Sequence, residues 1–193
     1  MTYDLKTALT QFEAVLRAEF SLLPMYLVTP KGAFDLPSLI ENGQACFPEE
    51  LQVKVPESIS DIQQGTRCIA FELPTAAAFH LHRANEAVLL RYYDQVSGGQ
   101  KRPKNRNMGA ILKKLEDSNW GAPLVLSSLK ALKDFHRNPV IHADQSIEKT
   151  DDAIALMNNI HTAIVQMLKE IPVPTSGASL FGLGALLLST TAP

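Results

Sequence analysis

The sequence predicts a mainly α-helical protein. A helical bundle spans residues 60–171, a small N-terminal α+β appendage precedes it over residues 1–59, and an apolar C-terminal tail follows over residues 172–193. Three observations predict this. Apolar residues recur at helical spacing through most of the chain. Runs of strand-forming residues are short and confined to the first 60 residues. Hydrophobic residues make up 46 % and charged residues 20 %, a globular composition that excludes a disordered or fibrous chain.

The first helix is marked by Leu5, Ala8, Leu9, Phe12, Leu16, Phe20 and Leu23, and Pro24 stops it. Residues 25–29, Met-Tyr-Leu-Val-Thr, read as a strand or half of a small hairpin, and Pro30-Lys31-Gly32 as a turn. Residues 35–57 read as irregular, with Val53-Lys54-Val55 as a strand fragment. Ser60-Asp61-Ile62-Gln63 has the capping-box pattern and is expected to open the main helical region, which runs to about Val96. Pro74 costs roughly 3 kcal/mol in a helix interior, so a kink or break is expected there. Ala76, Ala77, Ala78, Ala84 and Ala87 allow close approach of a neighbouring helix, and Ser97-Gly98-Gly99 ends the element.

Asn107 is placed to cap a short helix with the stripe Met108, Ile111, Leu112 and Leu115. Pro123 suits the first position of the next helix, whose stripe is Val125, Leu129, Leu132 and Phe135. Asn138-Pro139 ends that helix, because proline cannot continue it and biases the residue before it away from helical angles. Thr150-Asp151-Asp152 is expected to cap the last long helix, with Ile154, Met157, His161, Ile164, Leu168 and Ile171 on its inner face.

Cys46 and Cys68 lack metal-ligand spacing and predict reduced thiols rather than a disulfide framework. The chain opens directly on an amphipathic helix, so a cytoplasmic location without a leader is expected. The apolar run 178–188 is far short of the roughly 20 residues a spanning helix needs, and no membrane partner is expected.

Net charge is −2, but it is unevenly distributed. Residues 1–60 carry four Lys and Arg against eight Asp and Glu, whereas residues 101–137 carry nine against three. The loop residues Lys101, Arg102, Lys104 and Arg106 therefore read as an RNA-binding patch, or else as a solvated connector. The basic segment ends at Arg137-Asn138-Pro139-Val140-Ile141-His142. Arg presents a planar fork that matches phosphate oxygens. His titrates near neutrality and can both take and give a proton. The same pair also suits a plain helix end, where cations complement the dipole.

Other constellations carry less. Gly182-Leu183-Gly184 lacks the third glycine of a dinucleotide loop. His80 and His82 are two apart and point to different faces of a helix. Asp134, His136, His142 and Asp144 have no fixed metal spacing, so neither a metal nor a cofactor is expected. His161 reads as a core histidine.

The run Leu129 to His142, followed by Thr150-Asp-Asp-Ala-Ile154, resembles the HEPN family, α-helical domains found in prokaryotic toxin and defence ribonucleases. The family signature is Arg, a polar residue, then His, with four to six residues between Arg and His. Here it reads Arg137-Asn138-Pro-Val-Ile-His142. Phe79-His-Leu-His-Arg83-Ala-Asn-Glu86 is similar to the family's earlier helix, where an acidic residue supports the site. The resemblance covers residues 60–171. One subgroup, paired with a nucleotidyltransferase antitoxin, carries Tyr two residues after the His; this chain has Asp144 there.

The resemblance implies a HEPN-like bundle that cleaves RNA without metal. Arg137, Asn138 and His142 would be catalytic, with Glu86 supporting. It also implies a homodimer, since acid and base roles want two imidazoles, and an antitoxin or regulatory partner. A non-catalytic RNA- or nucleotide-binding module of the same fold, and a helical protein-interaction module, remain alternative readings.

Overall fold

The computed structural model describes residues 2–23, 28–134 and 146–174. The described residues are mainly helical, and no strand occurs among them. An isolated antiparallel bridge joins Lys31 to Phe34, closed by the Phe34 amide donating to the Lys31 carbonyl at 3.0 Å. Gly32 sits in this turn at φ +59°, a conformation that favours glycine. The chain forms two compact units, one over Met1–Pro30 and a second that begins at Lys31. In the first unit, α1 (Thr2–Leu22) is a single amphipathic helix.

The second unit begins with short helices. α2 (Leu36–Glu41) is capped by Asp35, whose carboxylate accepts from the Ser38 amide at 3.1 Å. A 3-10 turn (Gly43–Cys46), α3 (Glu50–Lys54) and a second 3-10 turn (Pro56–Ser58) follow. This corrects the expected α+β appendage. Val53 and Lys54 belong to α3 rather than to a strand. Leu39, Leu51 and Val55 are buried in the core shared with the long helices, so residues 31–59 pack as part of the bundle's unit. The expected strand at residues 25–29 lies largely outside the described residues.

α4 (Ile59–Ala70) does not open on the expected capping box. The 3-10 turn runs straight into it, so Ser58 is already in the helical region, at φ −80° and ψ −20°. Its hydroxyl donates to the Val55 carbonyl at 2.8 Å, and the Gln63 amide reaches Gln44 at 2.9 Å. The helical run breaks at residues 71–73, and Pro74 opens α5 (Pro74–Val96), where its missing N–H has no helical partner to lose.

α5 is the central helix of the described residues and packs on α4, on α6 (Met108–Asp117) and on the last described helix, α8 (Thr150–Leu168). Ala77, Ala78 and Ala84 are buried, while Ala76 is exposed. A Cβ on Gly65 would come within 2.9 Å of the Leu81 side chain, so α4 and α5 approach where only hydrogen fits. α5 ends on Gly98 and Gly99, both at positive φ, whose amides donate to the Gln95 and Asp94 carbonyls.

Asn107 caps α6 as expected, its side chain accepting from the Ala110 amide at 2.9 Å. α7 (Pro123–Leu132) buries Val125, Leu129 and Leu132; Phe135 lies outside the described residues. Thr150 is the first residue of α8 rather than its cap, which is Lys149, and Asp151 and Asp152 stand in the first turn. At the other end of α8, the Lys54 ammonium donates to the Leu168 carbonyl at 2.7 Å and supplies a cation where the dipole is negative.

Candidate functional site

The motif residues Arg137, Asn138 and His142 lie outside the described residues, as do the break expected at Asn138-Pro139, His136, Asp144 and the apolar run 178–188. The helices on either side of the motif are described. α7 leads into it, α8 follows it, and the two pack on each other, with the Ser128 hydroxyl 3.2 Å from the Gln166 amide oxygen. The Thr75 hydroxyl, in the first turn of α5, donates to the Ile147 carbonyl at 2.9 Å.

Glu86 lies half-buried on α5, and the structure groups it with two residues the sequence reading did not select. His82 and Asn85 stand four and one positions before it, so the three share one stripe of the helix. His82 is 2 % and Asn85 0 % exposed, among Leu81, Ala84, Val88 and Leu89. Neither polar atom of the Asn85 amide has a hydrogen-bond partner among the described residues. Burying an unsatisfied amide costs roughly 1–3 kcal/mol, so a packed core does not favour Asn at this position. The signal was present in the sequence: polar residues at i, i+3 and i+4 inside an apolar stripe.

A second polar group lies outside this stripe. Asp61 on α4 bonds the His80 ring at 2.9 Å and the Arg83 guanidinium at 3.2 Å. His80 also lines a cavity of about 580 Å³ with Phe79, Pro74 and Leu73. His161 is half-buried and tilts against the Phe47 ring at 5.6 Å.

The basic loop divides. Arg102 turns back onto α5, where its guanidinium bonds both oxygens of Asp94 and the Leu90 carbonyl. The Asp94 carboxylate, through this bond, pushes the Arg102 pKa still higher. Arg102 is therefore a clamp on the loop. Lys101, Lys104 and Arg106 are exposed and line a cavity of about 850 Å³ with Gly99, Gln100 and Pro103. The Tyr93 hydroxyl donates to the Lys101 carbonyl at 3.2 Å and fixes the start of the loop.

Burial pushes the pKa of both Cys46 and Cys68 up, away from the thiolate that nucleophilic chemistry requires. Among the described residues no group of three His, Cys, Asp or Glu side chains is arranged to hold a metal ion, and no helix is long and apolar enough to cross a membrane. No protein family, curated protein or solved structure matches this chain.

Proposed function

We propose that this protein is a dimeric, metal-independent endoribonuclease of HEPN type, with a toxin or defence role. The observation that carries the reading is the motif Arg137-Asn138-x3-His142, which lies in sequence between two helices, α7 and α8, that pack on each other. The buried polar stripe of α5, with Glu86 on it, supports the same reading. So do the exposed cations Lys101, Lys104 and Arg106, whose field suits an anionic polymer.

In the proposed reaction the ribose 2′-hydroxyl attacks the adjacent phosphorus as the bond to the 5′-oxygen breaks. His142 of one copy takes the hydroxyl proton, and His142 of the second copy protonates the leaving oxygen. Arg137 holds the charge that builds on the phosphoryl oxygens, and Asn138 orients the pair. The products are a 2′,3′-cyclic phosphate and a 5′-hydroxyl.

The test is incubation with single-stranded RNA in the presence of chelator. Cleavage that leaves cyclic phosphate ends and is abolished by His142→Ala is the expected result. RNA left intact by the wild-type protein, with or without divalent metal, overturns the enzyme. Binding without cleavage then assigns a non-catalytic RNA module. A protein-interaction module is the second reading, favoured by the exposed apolar face of α1.

A further inference from the structure

α1 carries a broad apolar face that is left in solvent. Leu5 is 73 %, Leu9 56 %, Phe12 60 % and Val15 60 % exposed. Amphipathic helices draw most of their stability from packing that face, so this one calls for a partner. The face has a heptad seam: Leu5 and Phe12 take d positions, and Leu9 and Leu16 take a positions. Glu19 falls on the next d position, and this carboxylate decides the geometry.

In a parallel pair every seam residue meets its own copy, so Glu19 would face Glu19 inside an apolar seam, with no cation between them. Reversing one helix removes that clash. One antiparallel register sets Leu5 on Leu16 of the second copy and Leu9 on Phe12 of the second copy, and the two-fold axis repeats both layers. Reversal also brings e beside e and g beside g. In this register Lys6 lies beside Glu13 of the second copy, and Ala8 beside Val15 of the second copy, each twice. One flank is then ionic and attractive, the other apolar, and Glu19 sits at the end of the seam in solvent. Sliding by one heptad sets Leu9 on Glu19 of the second copy and Glu13 on Glu13 across the axis, which is unfavourable at both places.

We infer that α1 is a dimerisation helix that pairs antiparallel with α1 of a second copy, in the register that places Lys6 beside Glu13. An anionic lipid surface is the weaker match, because α1 carries Asp4, Glu13 and Glu19 against Lys6 and Arg17. The inference does not rest on the ribonuclease reading, although it supplies a two-fold axis of the kind that reading needs.

Sedimentation of the full-length protein tests it, with circular dichroism confirming that each variant is folded. Wild type is expected to be a dimer at micromolar concentration and Phe12→Asp a monomer. Glu13→Lys sets lysine beside lysine twice and is expected to weaken the dimer about ten-fold. Adding Lys6→Glu to Glu13→Lys restores the pairs with signs exchanged and should return wild-type affinity. A monomeric wild type, or a Phe12→Asp dimer as tight as wild type, overturns the inference. A double variant as weak as Glu13→Lys alone overturns the register. Co-sedimentation of a monomeric wild type with phosphatidylserine vesicles assigns the face to lipid instead. A dimer broken by Phe12→Asp that cuts no RNA leaves this inference standing and removes the enzyme; RNA cleavage by a protein whose dimer survives Phe12→Asp does the opposite.

Discussion

At the scale of single residues, Asn85 and Tyr92 show the two fates of a buried polar group. Asn85 is a fully buried amide with no hydrogen-bond partner among the described residues. Asn85→Leu keeps the shape and removes the desolvation cost, so stability should rise by about 1 kcal/mol in urea denaturation. If the polar stripe serves the reaction, RNA cleavage should fall in the same variant. Tyr92 is also fully buried, but its hydroxyl accepts from the Ala122 amide at 2.8 Å and donates to Glu170 at 3.2 Å. Burial is the main cause that pushes its pKa from 10 up to about 12. The folded state thus favours the neutral phenol. Its contribution is complete below pH 10 and is lost as pH rises through the window from 10 to about 12. Tyr92→Phe should lose roughly 1–3 kcal/mol at neutral pH, because the Ala122 amide is left unpaired. The variant should also lack that alkaline limb, which urea titrations at stepped pH would reveal.

At the scale of elements, caps and glycines carry the predictions. Asn107→Ala removes the side-chain cap of α6 and should cost about 1 kcal/mol. Gly43→Ala would place a Cβ 1.8 Å from the Thr66 hydroxyl, between the first 3-10 turn and α4, so overpacking should cost roughly 1–3 kcal/mol in thermal unfolding. The first of these features was legible in the sequence, and so were a break near Pro74 and the proline start of α7, because a cap or a proline acts within one turn of itself. α2 and α3 were not legible. At six and five residues they are too short to show a helical period, and tertiary burial of Leu39 and Leu51 decides them. The capping-box pattern at Ser60 misled for a related reason: a preceding 3-10 turn had already made the chain helical. In the candidate site, Arg102 shows what pattern alone cannot resolve. Its charge marked the loop as basic, but the bond to Asp94 eight residues earlier depends on how Gly98 and Gly99 turn the chain back.

At the scale of the whole molecule, charge and unit structure make separable predictions. Reversing Lys101, Lys104 and Arg106 to Glu should weaken RNA binding and flatten its dependence on salt, since fewer counterions are released. Arg102→Gln should instead lower stability through the loss of the Asp94 clamp and leave the salt slope closer to wild type. Filter binding at stepped salt distinguishes the two. Deleting residues 1–30 should leave one cooperative unfolding transition in calorimetry, because the unit that begins at Lys31 has its own core. The chain's single tryptophan gives that unit a private optical signal. Trp120 packs edge-on to Tyr93 at 6.1 Å, and the Lys114 ammonium stands 5.4 Å above its ring. Its emission should therefore follow separation of α5 from α6. One cuvette can thus record the opening of this unit from within, with no added label.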